Sequence, residues 1–322
     1  MSVLTVAIPL FNGARFLGDA IESLRAQSHR DFRLLCVDDA STDDSVAVAA
    51  GHGVEVVTSP AHTSLAANWN RAASLVETET FILAHQDDVY ERDFVAAMLG
   101  LLDAHPRAFA AHARATAIDE RGRAVRNPAA RYKDRFWPAA EPVEREPEAE
   151  IEVLRQGNYV IAPSVIFRTE RFRDLGGFDA SLDFVTDWEF WFRGLRRGFT
   201  LAGTHARLVR FRRHAATATR VSERTMRRYE EELALLAALE EQRPIGPRRA
   251  YRAIANTITT DLAARLADGD RDGARALLRF GRERVPHFAG SARDRLLGTA
   301  VAGGTAGGRA LKLLERLYIL FS

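Results

Sequence analysis

The chain has 322 residues, 47% of them hydrophobic and 27% charged, with a formal net charge of +2. That is the make-up of an ordinary globular protein with room for one α/β domain and a smaller appendage. Cys36 is the single cysteine, which excludes an intramolecular disulfide and a cysteine-cluster metal site; lying in the apolar run 34–37, it reads as a buried, inert thiol. No stretch reaches the roughly 18 consecutive apolar residues of a spanning helix, and residues 1–10 carry no basic leader or cleavage site, so a cytoplasmic location is expected.

Val3 to Leu10 (VLTVAIPL) is apolar and rich in β-branched residues, the pattern of a buried strand. Residues 14–27 place Phe16, Leu17, Ile21 and Leu24 at helical spacing. Phe32 to Val37 reads as a second buried strand. It runs into Asp38, Asp39, Ala40, Ser41, Thr42, Asp43 and Asp44, where Ser, Thr and Asp can cap the next helix. Val54 to Val57 is a third strand, Leu65 to Val76 a helix, and Phe81 to Ala84 a fourth strand that stops at His85, Gln86, Asp87 and Asp88. Strands alternating with helices imply a mostly parallel sheet flanked by helices on both faces. Such sheets bind ligands at the carboxyl ends of their strands, where both acidic pairs fall.

Residues 138–152, rich in Pro and Glu, read as a mobile surface connection. Tyr159 to Phe167 is apolar again, followed by Gly176, Gly177, Phe178 and Asp179. Trp188, Phe190, Trp191 and Phe192 then fall within five residues. They cover more than one helix face, so some are expected to leave the core, one of them free to stack on a sugar ring. Beyond His214, segments 222–242, 248–267 and 271–284 look helical, and a glycine-rich stretch, 303–308, precedes an amphipathic segment, 309–321. Residues 201–322 hold 23 Lys and Arg against 13 Asp and Glu, whereas the first 200 hold 22 against 30. An acidic first part suits a metal cation. A basic last part suits an anionic phospholipid surface, a lipid pyrophosphate or nucleic acid, or is a solvated arginine-rich surface.

Four segments stand in order: IPLFNGARFLGDAIESLRAQS (8–28), VDDASTDDS (37–45), HQDD (85–88), and GGFDASLDFVTDWEFWFR (176–193) with RFRRH (210–214). Together they resemble family 2 of the inverting glycosyltransferases over roughly residues 3–215. The resemblance implies a GT-A fold, with a catalytic domain over 1–218 (nucleotide-sugar half about 1–110, acceptor half about 111–218) and a helical C-terminal region over 219–322. It implies transfer of a sugar from a nucleotide-diphosphate donor to a hydroxyl acceptor, on a glycan or a lipid-linked saccharide of a surface polysaccharide. By resemblance Ile8, Pro9, Phe11, Asn12, Asp38 and Asp39 grip the nucleoside, with Asn68 and Asp87 also near the donor. A carboxylate accepts from the N3–H of uracil or thymine, which favours UDP or dTDP. Arg71 is a candidate for the pyrophosphate or a solvated side chain, and Trp69 reads as core.

The donor's pyrophosphate calls for a divalent cation, Mn2+ or Mg2+, held by oxygen ligands. Resemblance gives that job to Asp87 and Asp88, joined by His214, while His85 stands where the family has the first Asp of its DxD motif. The plain alternative has Asp87 and Asp88 capping a helix that starts near Glu91. For the base that takes the acceptor's proton, resemblance points to Asp187, with Thr186 replacing the family's preceding Glu. Glu189 is the second candidate; on a helix it points about 200° round from Asp187.

Rival readings are weaker. A nucleotidyltransferase is expected to have a glycine-rich basic loop after the first strand, where this chain has Phe11, Asn12, Gly13, Ala14 and Arg15. The G-x-G-x-x-G of a dinucleotide-binding oxidoreductase is absent. A non-catalytic nucleotide-sugar-binding protein stays open through His85 and Thr186. No nucleic-acid-binding motif is present, and the oligomeric state is not legible. Segment 309–321, too short to span a bilayer, can lie in an anionic membrane interface, pack on the protein or join a dimer.

Overall fold

Leu4–Leu10 has no polar face, and it forms a strand, β1, that is buried at every position, as befits a strand covered on both sides. The computed structural model describes residues 3–125, 134–138, 141, 143–214, 226–242, 251–267 and 269–302. Its contacts divide the chain into two compact units, Met1–Leu154 with Asn158–Thr217, and Arg155–Gly157 with Ala218–Ser322.

The first unit begins as the periodicity predicts. Helix α1 (Ala14–Arg25) buries Phe16, Leu17, Ala20, Ile21 and Leu24. Then follow β2 (Arg33–Asp38), α2 (Ser45–Gly51), β3 (Glu55–Thr58), α3 (Leu65–Ser74) and β4 (Thr80–Leu83). β1 pairs in parallel with β2 and β4, and β2 in parallel with β3. The chain walks outward from β1 to β3 and then returns to the other side of β1, which places a switch in strand order between β1 and β4. The residues after β1, β2 and β4 therefore meet at one edge of the sheet.

The rest of the sheet is mixed. β5 (Val89–Tyr90), β6 (Ala108–Ile118), β7 (Val143–Glu144), β8 (Val165–Arg168) and β9 (Thr200–Arg212) complete nine strands among the described residues, with order β3-β2-β1-β4-β8-β6-β9-β5 and β7 beside β9. β8 runs antiparallel to both β4 and β6, while β6 and β9 are parallel. Helix α4 (Phe94–Ala104) precedes β6. Alternation along the sequence covers only the parallel half; pairings between distant strands carry no such signature.

Two expectations are corrected here. Residues 138–152 are not simply a mobile connection. β7 pairs with β9, and α5 (Pro147–Leu154) buries Pro147, Glu150 and Leu154. The charge of Glu150 is not exposed by being charged. Its carboxylate accepts from the Tyr159 hydroxyl at 2.7 Å and pairs with Arg145 at 2.7 Å, which makes its burial tolerable. The second correction concerns the aromatics. All four of Trp188, Phe190, Trp191 and Phe192 are at most 4% exposed, so none leaves the core. Their helix, α7 (Thr186–Arg196), follows the short α6 (Thr169–Asp174) and is covered on more than one side. Phe190 and Trp191 meet Phe109 and Phe167, while Trp188 donates its indole N–H to the Leu154 carbonyl at 3.1 Å.

This close packing gives a stability prediction. A Cβ on Gly194, inside α7, would come within 2.4 Å of the Phe109 ring. That ring is itself wedged against Phe190, Trp191 and Phe199. Overpacking of this kind costs about 1–3 kcal/mol, against about 1 kcal/mol that alanine gains over glycine in a helix. Gly194→Ala should therefore lower the denaturant midpoint; a raised midpoint would mean the ring yields freely.

In the second unit, α8 (Arg227–Gln242), α9 (Arg252–Ala267) and α10 (Arg271–Arg284) are helical as their apolar spacing predicts, and a further helix, α11 (Ala292–Ala302), is not expected from the sequence. Leu236, Ile254, Ile258, Leu262, Leu277 and Leu297 form their buried faces. Asp270 caps α10 by accepting from Gly273 N at 2.8 Å. Arg282 pairs with Asp294 at 2.6 Å, tying α10 to α11. The expected segments 303–308 and 309–321 lie outside the described residues, as do 222–225 and 248–250. No helix among the described residues is long and apolar enough to cross a membrane.

Candidate functional site

Three loops meet at the carboxyl edge of the parallel strands, and side chains lock each to the next. The Gln86 amide accepts from Phe11 N at 2.9 Å and donates to Phe11 O at 3.0 Å, joining the loop after β4 to the loop after β1. Gly13 makes this approach possible, since a Cβ there would stand 2.4 Å from the Gln86 side chain. The loop after β2 closes on the same backbone. Ser41 Oγ accepts from Asn12 N, Ser45 Oγ from Gly13 N and Asp43 Oδ2 from Ala14 N. The polar run 38–45 thus satisfies the N–H groups that open α1, while α2, expected to be capped from this run, takes no side-chain cap at its N-cap Asp44. Asn12 and Ala40 sit at positive φ, 47° and 59°. That conformation is uncommon for alanine, and such strain gathers at functional loops.

The residues expected to hold a nucleoside separate into two groups. Ile8 and Pro9 are buried in β1, with Ile8 in the hydrophobic core, so their side chains are closed off from any ligand. Their part is to set the position of Phe11, which is 38% exposed. Asn12 is exposed, but its Oδ1 already accepts from Thr42 N at 2.8 Å. Asp38 accepts from Ser41 N, and Asp39 accepts from Thr63 N at 2.9 Å and from the Thr63 hydroxyl at 2.8 Å. Asn68 is buried and donates to Val37 O, while its Oδ1 has no partner. Arg71 neither floats in solvent nor faces the acidic cluster; it braces the strand ends through Asp38 O and Thr58 O.

The acidic cluster follows β4. Asp88 is fully buried, and its Oδ1 accepts from Arg212 N at 2.8 Å. Burial, and then the neighbouring Asp87, push its carboxyl well above the usual carboxylate range, against the pull of the Arg212 hydrogen bond. Asp87 Oδ2 meets His214 Nε2 at 2.8 Å. Arg212 holds the whole corner: its guanidinium donates to Asp87 O, Glu120 O and Asp19 Oδ2. The plain alternative of helix capping does not hold, because α4 starts at Phe94 behind Asp93 and takes no side-chain cap.

His85, Asp87 and Asp88 offer ligand atoms that all lie within 4.8 Å of one another. The donor set fits a hard or borderline divalent cation. Two further observations favour that fit. Asp88 Oδ2 and His85 Nε2 are buried and have no hydrogen-bond partner, and burial lowers the His85 pKa against the opposing charge of Asp87, keeping the ring in the neutral form that ligates. His214 is brought to the cluster through Asp87. His85 belongs to it directly, so the replacement of the family's first Asp leaves a competent ligand in place.

Asp187 lies in the first turn of α7, half-buried, and accepts from Asn158 Nδ2 at 3.0 Å. Glu189 is committed elsewhere: Arg193 grips both of its oxygens, at 3.0 Å and 2.5 Å, and also bonds the carbonyls of Leu175 and Gly177. Thr186 is buried and bonds Leu182 O. A small cavity of about 10 Å³ is lined by Trp69, Leu83, His85, Phe178, Asp187 and Trp191. It brings Asp187 and His85 to one place from opposite halves of the unit. Sequence reasoning missed His62, Thr63, Gln86, Asn158 and Arg212. Gln86 and Arg212 lay inside segments already singled out; His62, Thr63 and Asn158 lay in loops with no motif.

Known proteins resemble this chain in sequence and in fold. The family model described as glycosyl transferase family 2 matches residues 5–167. An uncharacterized glycosyltransferase of Rickettsia prowazekii is 23% identical over 234 residues, 71% of this chain and 70% of that protein. Among solved structures, S. aureus TarS 1-349 in complex with UDP-GlcNAc superposes with a TM-score of 0.60 at 15% identity, over 98% of this chain and 91% of that one. The mannosyltransferase PcManGT of Pyrobaculum calidifontis, in complex with GDP-Man and Mn2+, gives 0.55 at 17% identity, over 99% and 85%. These likenesses show a shared GT-A fold.

Proposed function

The chain belongs to glycosyl transferase family 2, and on that premise we propose that it is a metal-dependent inverting transferase acting on a nucleotide-diphosphate sugar. One observation carries the reading: Asp187 and His85, the first residue of the HQDD segment, line the same small cavity, so a candidate carboxylate base stands beside the candidate cation site. The UDP-GlcNAc and the GDP-Man with Mn2+ held by the two structural neighbours support a donor of this class.

In this reading Phe11 and Asp39 receive the base, and Asp38 the ribose. His85, Asp87 and Asp88, with His214 behind Asp87, hold a divalent cation. Bound there, the cation supplies Lewis-acid neutralisation of the diphosphate charge. Arg212 keeps Asp87 and Asp88 in register through four hydrogen bonds to the loop and its neighbours. Asp187 Oδ1 or Oδ2 takes the proton of the acceptor hydroxyl as its oxygen attacks the anomeric carbon opposite the leaving diphosphate, which inverts that centre. Asn158 orients the carboxylate by donating to Oδ2.

The acceptor in this proposal is a hydroxyl of a glycan or lipid-linked saccharide. The basic second unit brings the enzyme to an anionic membrane surface on the cytoplasmic side. An open groove lined by Arg275, Arg279, Arg282 and Arg295 over Leu278 and Val301 supports that placement. A donor screen tests the core claim: purified protein with Mn2+ or Mg2+, a panel of nucleotide sugars, and release of free nucleoside diphosphate. Slow hydrolysis of one donor without acceptor is expected. A flat response across the panel, with and without candidate acceptors, would overturn it.

A further inference from the structure

The exposed ring of Phe11 is not bare. The imidazole of His62 stacks on it, with ring centroids 3.8 Å apart and planes inclined by 17°. The same imidazole places Nδ1 2.8 Å from Asp39 Oδ2. The His62 side chain is 53% exposed and that of Asp39 is 2% exposed. A loop residue with open solvent beside it has instead been drawn onto a buried carboxylate and an aromatic face.

A flat nitrogenous ring that stacks on Phe11 with a ring nitrogen beside Asp39 is a description of a nucleobase in the subsite proposed above. We propose that His62 occupies the nucleobase position in the free enzyme and must be displaced by the incoming base, so that it sets donor affinity and base selectivity. This inference rests on the reading of Phe11 and Asp39 as the base subsite.

The geometry enforces the exchange. Two rings 3.8 Å apart are already in van der Waals contact, so no third ring enters between them. Asp39 is anchored independently of His62, because Thr63 bonds both of its oxygens through its backbone N–H and its hydroxyl. His62 can therefore swing away while Asp39 stays oriented. The vacated acceptor site then faces the new ring. Uracil and thymine offer N3–H and guanine offers N1–H, a donor whose hydrogen bond the Asp39 carboxylate can accept. Cytosine and adenine have no ring N–H on that edge and offer Asp39 no such donor.

The closed arrangement lowers apparent affinity by the fraction of enzyme in which the subsite is open. Calorimetric titration of UDP, GDP and CDP into wild type, His62→Ala, His62→Gln and Phe11→Ala tests this, with thermal melting as a check on folding. Both His62 variants remove the stacking ring, and both should bind the preferred diphosphate about five- to tenfold more tightly. Phe11→Ala should bind it more weakly. His62 variants that bind equally or less tightly than wild type would overturn the placeholder role while leaving the base subsite intact. A Phe11→Ala variant that binds as well as wild type, or a wild type that binds no diphosphate, would instead remove the subsite reading on which the inference stands.

Discussion

Asp187→Asn should lower sugar transfer by about a hundredfold or more while donor binding stays near wild type. The substitution keeps the shape and the hydrogen-bonding edge of the side chain but removes its capacity to take a proton. Asp187 sits in the first turn of α7, so its neighbours are fixed by the buried aromatics behind it, and Asn158 continues to face an oxygen. Glu189 offers no substitute, because both of its oxygens are bound by Arg193 within the same helix. Glu189→Gln should accordingly affect stability and the anchoring of the Leu175 and Gly177 carbonyls more than turnover. Initial rates and nucleotide titration on the two variants check this. A near-normal Asp187→Asn beside an inactive Glu189→Gln would reverse the assignment.

Asp87→Ala should abolish transfer and leave the fold in place, and a chelator should abolish transfer by the wild-type protein. The choice of Asp87 over Asp88 follows from their surroundings. The Asp87 side chain is 19% exposed and meets His214, whereas Asp88 is fully buried and accepts from the backbone of β9. Removing Asp88 would leave Arg212 N without its acceptor inside the protein, a loss of about 1–3 kcal/mol that mixes stability with chemistry. Asp87→Ala removes an oxygen ligand while its backbone carbonyl still accepts from Arg212. Turnover with graded Mn2+ or Mg2+, beside thermal melting, reads both quantities. Full activity in chelator would end the metal assignment.

The parallel half of the fold was legible because each of its elements advertises itself locally. Leu4–Leu10 has no polar face, residues 14–25 repeat at helical spacing, and both acidic pairs stop a strand abruptly. Family resemblance then selected Asp87, Asp88, His214, Asp38, Asp39 and Asp187. The misplaced elements share a cause. Pro and Glu in residues 138–152 argue for an open loop only until Tyr159 and Arg145 satisfy Glu150. Four aromatics on one helix exceed a single buried face only until that helix is covered on more than one side.

The sequence by itself determined the class of fold, the positions of the acidic turns and the family, because strand and helix periods and motif order are properties of neighbouring residues. Tertiary structure alone decided what those residues touch. Ile8 and Pro9 lie in or beside the motif yet are sealed in the sheet, while Gln86, Asn158 and Arg212 hold the site together across separations of 75, 29 and 124 residues. His62, 23 residues beyond Asp39 in the chain, stacks on Phe11 because β2 and β1 end side by side in the sheet. Hydrogen bonding, burial and stacking act over a few ångströms in space, and the chain brings distant residues within that range only after strand pairing has set where its loops end.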